Sequence, residues 1–179
     1  MTVIFLDLDG VLNVEVFINA FWKICEIMEL KRPESKKLRK EMMRDEYGNL
    51  FCPTASNMLA WIIEATGAKI VISSSWRHSS PNGLEFCQNM WKHRGLAGEI
   101  IDITPSFHEN YNLPFKERAA RGKEIDAWLS KNPVDSYVIF DDDDDMLPYQ
   151  ESNFIQTDEK YGITMRDAER AIKILNNIK

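Results

Sequence analysis

With 179 residues the chain is long enough to bury one full core and short for two full-sized domains. Its 44% hydrophobic and 28% charged content, with 8 Gly and 7 Pro, excludes a collagen-like, low-complexity or disordered chain. The 22 basic and 28 acidic residues leave a formal net charge of −6, so no global attraction draws the protein to nucleic acid or an anionic membrane, and any polyanion site has to be local.

The first apolar run, Val3-Ile4-Phe5-Leu6, suits a strand buried on both faces and stops at Asp7 before a signal-like apolar core forms. No later stretch approaches the ~18 apolar residues that span a bilayer, so no membrane partner is expected. Cys25, Cys52 and Cys87 form no CxxC and cannot all pair, which points to a reducing compartment and a cytoplasmic protein.

About sixty residues separate this run from the next strand candidate, far more than a crossover needs. Within that stretch Phe17, Ala20, Phe21, Ile24, Ile27 and Met28 follow helical spacing, and Ser35 to Tyr47 predicts a second helix carrying Leu38, Met42 and Met43. Residues 14–52 are therefore expected to be a small helical cap over a core made of 1–13 and 53–179. The cap holds the basic stretch Lys31, Arg32, Lys36, Lys37, Arg39, Lys40 and Arg44, interrupted by Glu34 and Glu41. Such a stretch either steers a phosphate backbone or is a solvated helix face.

Beyond it, Leu59, Ile62 and Ile63 precede Gly67, a helix stop. Lys69-Ile70-Val71-Ile72 then predicts a second strand ending in Ser73-Ser74-Ser75, and Ile100 to Ile103 a third. Ile125, Trp128 and Leu129 mark a helix stopped before Pro133. Tyr137-Val138-Ile139-Phe140 is a strand ending in the run Asp141 to Asp145, and Phe154-Ile155-Gln156 is the last. Thr164 and Asp167 cap a final helix whose apolar face is Ala168, Ala171, Ile172, Leu175 and Ile178. The alternation predicts an α/β sandwich with a mainly parallel sheet of about five strands. Trp22, Trp61, Trp91 and Trp128 fall at core spacing, and His78, His93 and His108 lack metal-ligand spacing.

Three apolar runs end in polar residues at the carboxyl edge of the sheet, where open α/β folds bind ligands. Asp7 and Asp9 can enter one crevice, with Gly10 allowing the turn. Asp7, the main-chain carbonyl of Asp9, and Asp141 or Asp142 form a hard oxygen set suited to Mg²⁺, with a substrate phosphate completing it. The cation would make the clustered acids tolerable and let Asp7 attack phosphorus, while Asp9 serves as general acid and then general base. Ser74 is a candidate hydroxyl for a phosphoryl oxygen, Ser75 a backbone donor and Ser73 a rival. Arg121, Lys123 and Lys116 are candidates for the balancing cation, Arg121 first. Trp76 and Arg77 follow the serines; each reads either as core or as a contact to a base or phosphate.

The segment Asp7-Leu8-Asp9-Gly10-Val11-Leu12, the Ser73-Ser74-Ser75-Trp76-Arg77 stretch and the acidic block at 141–145 resemble motifs one, two and four of the haloacid dehalogenase-like (HAD) phosphatases. Arg121-Gly122, Glu124-Ile125 and Trp128-Leu129 extend the likeness to the HAD domain of multi-domain RNA-repair proteins, outside roughly residues 14–52. The resemblance implies a Rossmann-like three-layer core, Asp7 as nucleophile, Asp9 as acid/base, Ser74 as the second-motif hydroxyl, and Mg²⁺ held by Asp7, Asp9 and Asp141 or Asp142. Asp145 is expected to orient a water. It also implies nucleotide or polynucleotide phosphate ends as substrate. The rival readings are a receiver-like phospho-acceptor domain and a non-catalytic nucleic-acid-binding module working through residues 31–44.

Overall fold

The computed structural model of the chain describes residues 1–107 and 121–177. Five parallel strands, β1 (Thr2–Leu6), β4 (Lys69–Ile72), β5 (Ile100–Ile103), β6 (Ser136–Asp141) and β7 (Phe154–Gln156), lie in the order β5-β4-β1-β6-β7. The chain starts in the centre, runs outward through β4 and β5, then returns to the other side of β1 for β6 and β7. That reversal opens a crevice beyond the carboxyl ends of β1 and β6.

Side chains alternate along each strand, which divides the core into two layers. Ile4, Leu6, Ile70, Ile72, Val138 and Phe140 pack with Leu59 and Ile62 of α3 (Pro53–Thr66), Met90 of α4 (Gly83–His93) and Ala171 of α6 (Met165–Leu175). Val3, Phe5, Val71 and Ile139 meet Ile125 and Trp128 of α5 (Arg121–Leu129) on the other face. The three-layer α/β architecture follows, as the Rossmann-like expectation requires. Helix signals act where they were read. Gly67 ends α3 in the left-handed conformation with φ +64°. At α6 the Asp167 N–H donates to Thr164 Oγ1 and the Thr164 N–H to Asp167 Oδ2, a reciprocal cap.

Between β1 and α3 lie α1 (Glu15–Ile27), α2 (Arg32–Met42) and an antiparallel hairpin of β2 (Arg44–Asp45) and β3 (Gly48–Asn49). Phe21, Cys25 and Met43 form a separate apolar cluster there. The second helix thus begins and ends earlier than the Ser35–Tyr47 expectation. Pro33 in the first turn starts it, and the Leu50 N–H donating to Met43 O at 2.9 Å closes the chain into the hairpin. Along α1 the expected apolar face splits: Phe21 is buried, but Ile24, Ile27 and Met28 are exposed. Trp61, expected in the core, is 39% exposed. Helical spacing alone does not say which side of an apolar stripe finds a partner. All three cysteines are buried and unpaired. No helix among the described residues is long and apolar enough to cross a membrane. His108 and Ile178 lie outside the described residues.

Candidate active site

The ladder of the sheet continues one residue past its strands, and this lines polar residues along the crevice. The Asp7 N–H donates to Phe140 O at 3.0 Å and the Ser73 N–H to Leu6 O at 2.9 Å. The Thr157 N–H donates to Asp141 O at 3.0 Å. Asp7 therefore sits beside Asp141 because β1 and β6 are neighbours in register, with Leu6 opposite Phe140. Past Asp7 the chain turns at once. The Leu12 and Asn13 N–H groups both donate to Leu8 O, and Leu8, Val11 and Leu12 are fully buried, so the loop is pinned by its own apolar residues. Gly10 has φ +68°, and a Cβ there would lie 2.3 Å from Asp142 Cγ. The turn therefore needs glycine both for its backbone and for the approach of Asp142.

Asp7, Asp141 and Asp142 each offer a carboxylate oxygen, all within 4.8 Å of one another. Asp7 and Asp141 are buried, and this burial raises their pKa values: Asp7 is pushed up to about 6 and Asp141 well above the usual carboxylate range. Mutual repulsion adds to the rise in Asp141, while Arg121 and the Ser74 hydroxyl pull Asp7 back down. Burial raises Asp142 as well. The Oδ2 atom of Asp141 has no hydrogen-bond partner. A hard, oxygen-only donor set under this electrostatic stress fits a small divalent cation such as Mg²⁺. Asp141 and Asp142, the two alternatives for the metal, both offer an oxygen to this cluster.

Arg121 begins α5 and lies between the acids. Its Nε is 3.3 Å from Asp141 Oδ2, its guanidinium 3.9 Å from Asp7 Oδ1 and 3.5 Å from Glu124 Oε2. Burial works against its charge, but Asp141, Asp7, Glu124 and Asp145 outweigh it and hold Arg121 above its usual range. Asp145 keeps its Oδ1 buried without a hydrogen-bond partner, so the expected water-orienting role stays open to it. Its Oδ2 accepts the Arg121 N–H at 2.8 Å, fixing the start of α5 against the acidic run. Asp143 and Asp144 are exposed.

Asp9 stands apart from the three-acid cluster. Its carboxylate is exposed and accepts from Trp76 Nε1 at 2.8 Å and from Asn13 Nδ2 at 2.7 Å, which fixes its direction. Ser74 is fully buried beside Asp7, and its Oγ accepts from the Trp76 N–H at 3.4 Å. Ser73 is buried with a hydroxyl that has no partner, whereas Ser75 is exposed at the start of the 3-10 turn Ser75–His78.

Arg77 corrects the expectation of a substrate contact. It is 4% exposed, donates from Nη1 to Ser74 O at 2.7 Å and pairs through Nη2 with Glu124 at 2.6 Å. Lys123 is exposed and takes no part in the carboxylate network among the described residues. Lys116 lies outside the described residues. Sequence reasoning missed Glu124 as the buried bridge between Arg77 and Arg121; the signals were its place in the family-like stretch and its position one turn after Arg121. It also missed Asn13 and the indole of Trp76 as holders of Asp9. A cavity of about 810 Å³ lies away from this chemistry, beside Asp102, Thr104 and Lys131, and holds none of the clustered acids.

Over residues 3–168 the chain matches the family described as the HAD domain in Swiss Army Knife RNA repair proteins, and it belongs to that family. No curated protein and no solved structure matches it.

Proposed function

We propose that this HAD-family chain is a Mg²⁺-dependent phosphomonoesterase that works through an aspartyl-phosphate, on nucleotide or polynucleotide phosphate ends. The observation that carries the reading is the meeting of Asp7, Asp141 and Asp142 at the sheet's reversal point, with Asp9 held apart from them by two donors. Asp7, Asp141, Asp142 and the main-chain carbonyl of Asp9 would hold the cation. Bound there, Mg²⁺ supplies the positive charge that lets a carboxylate and a phosphate approach one another.

An Asp7 oxygen attacks phosphorus, forming one P–O bond as the bond to the leaving oxygen breaks. Asp9 acts as general acid, passing a proton to the departing alkoxide; it then takes a proton from the water whose oxygen attacks phosphorus and releases Asp7. The unpartnered Ser73 hydroxyl, the Ser74 hydroxyl and the Ser75 N–H are donors for phosphoryl oxygens, and Arg121 faces the developing charge. Residues 14–52, with their own apolar cluster, act as a cap over the crevice.

Phosphate release tests the assignment. Asp7→Asn abolishes turnover and the trapping of metal-fluoride phosphate analogues, and normal turnover in that variant would end it. Asp9→Asn is nearly as damaging.

A further inference from the structure

Two cavities outside the acid cluster share one residue. The first, about 360 Å³, is lined by Asp9, Arg44, Tyr47, Gly48, Asn49, Ser75, Trp76 and Ser79, so it abuts the proposed proton donor. The second, about 650 Å³, is lined by Trp22, Lys36, Arg39, Lys40, Arg44 and Asp45. Arg44 borders both. The charge of Asp45, the one acid of the second cavity, is already taken: Arg94 holds both its oxygens at 2.8 Å.

Neither cavity is polar by accident of exposure alone. Arg39 Nε and Asn49 Oδ1 are buried without hydrogen-bond partners, one from α2 and one from the hairpin that walls the first cavity. The Arg39 guanidinium lies 5.6 Å from the centre of the Trp22 ring, which combines a cation with a flat apolar surface. α2 carries five basic residues against two acidic ones in a chain whose formal charge is −6. The one ion pair within α2, Lys37 to Glu41 at 3.9 Å, leaves the cations of the second cavity to other partners.

Geometry gives this track a direction. Asp9 delivers its proton to the leaving oxygen, so whatever carries the terminal phosphate departs on the Asp9 side. The first cavity is the room it has there. Beyond it the path runs past Arg44 to cations spaced with an aromatic ring, the chemistry that binds single strands through phosphates and stacked bases.

We infer that the cavity of Trp22, Lys36, Arg39, Lys40 and Arg44 is a single-stranded polynucleotide exosite, joined through Arg44 to a leaving-nucleoside pocket at Asp9. This rests on the phosphatase reading for its orientation, but not for the binding itself. An acidic peptide offers charge without rings for Trp22, and is the rival.

Binding is measured by fluorescence anisotropy in EDTA, with a strand of about eight uridines or thymidines phosphorylated at one end and labelled at the other. Four phosphate contacts to a single strand imply a loss of affinity of about 50-fold between about 50 and 200 mM salt. Lys36→Gln with Lys40→Gln reduces that loss to about 7-fold. Trp22→Ala weakens binding without changing the salt dependence, and far-ultraviolet circular dichroism verifies the fold of each variant. In Mg²⁺, the ratio of kcat/KM for the strand to that for p-nitrophenyl phosphate falls in the lysine double variant. An unchanged salt dependence in a folded double variant overturns the exosite, as does equal affinity for an oligoaspartate of the same charge. If the wild-type chain binds the strand with the expected salt dependence but hydrolyses no phosphomonoester, the exosite stands and the phosphatase reading fails. If it hydrolyses p-nitrophenyl phosphate but binds no strand, the reverse holds.

Discussion

Removing the Glu124 carboxylate tests how the buried centre of the site is held. Glu124 is 7% exposed and Arg77 4%, with Nη2 and Oε2 2.6 Å apart. The other Glu124 oxygen accepts the Phe107 N–H at 3.1 Å. Glu124→Ala leaves the Arg77 charge in the interior with the neutral Ser74 carbonyl as its remaining hydrogen-bond partner among the described residues, and frees the Phe107 backbone donor. Breaking a buried ion pair on one side costs about 3–5 kcal/mol. At a urea dependence of about 2 kcal/mol/M, the unfolding midpoint falls by about 2 M. Arg77→Met combined with Glu124→Leu removes both charges and keeps apolar volume, so its stability returns to within about 1 kcal/mol of wild type. Its activity does not return, because Arg121 has lost the carboxylate 3.5 Å from its guanidinium. A misaimed Arg121 lowers kcat by about 10- to 100-fold. Urea unfolding followed by tryptophan fluorescence, with phosphate release alongside, separates the two effects. A Glu124→Ala midpoint equal to wild type, or a double variant less stable than Glu124→Ala, refutes the reasoning.

Gly10→Ala forces a Cβ to within 2.3 Å of Asp142 Cγ in a left-handed backbone. We expect about 1–2 kcal/mol of lost stability and at least ~100-fold lower kcat. The losses from Gly10→Ala and Asp142→Ala are then non-additive, and additive losses in phosphate release would contradict the contact. Asp7 is raised to about 6 in the fold against about 3.9 in the unfolded chain, so the folded state binds the extra proton. In EDTA this contribution is full below about pH 3.9 and is lost as pH rises through about 6. Thermal unfolding therefore shows a wild-type Tm that drops relative to Asp7→Asn as pH rises across that window, with Mg²⁺ restoring it. A constant difference would exclude it. Asp45 has the opposite sign: burial is outweighed by Arg94, its pKa is lowered, and its stabilisation is lost as pH falls below the usual carboxylate range. Asp45→Ala removes that acid-side loss and loosens the hairpin, which amide exchange at residues 44–49 measures.

Local chemistry made much of this protein legible from its residues. Apolar runs bounded by acids and serines placed β1, β4 and β6, because a strand buried on both faces has to be continuously apolar. Gly67 and the Thr164–Asp167 pair marked helix ends, since unsatisfied backbone groups there demand particular residues. Asp7, Asp9 and the acidic run were visible as candidates for the same reason: carboxylates do not close buried strands without a purpose.

Tertiary structure decided how those candidates divide the work. Five consecutive aspartates look alike in the chain, yet Asp141 and Asp142 join Asp7, while Asp145 turns to the α5 amide. Arg77 and Glu124, 47 residues apart, meet only because the β4 turn and α5 converge. The hairpin of residues 44–49 and the exposed side of α1 followed packing partners that no periodicity encodes. A side chain's type depends on the residue, but its burial and its partners depend on which distant segments fold against it, and these set its charge state and its role.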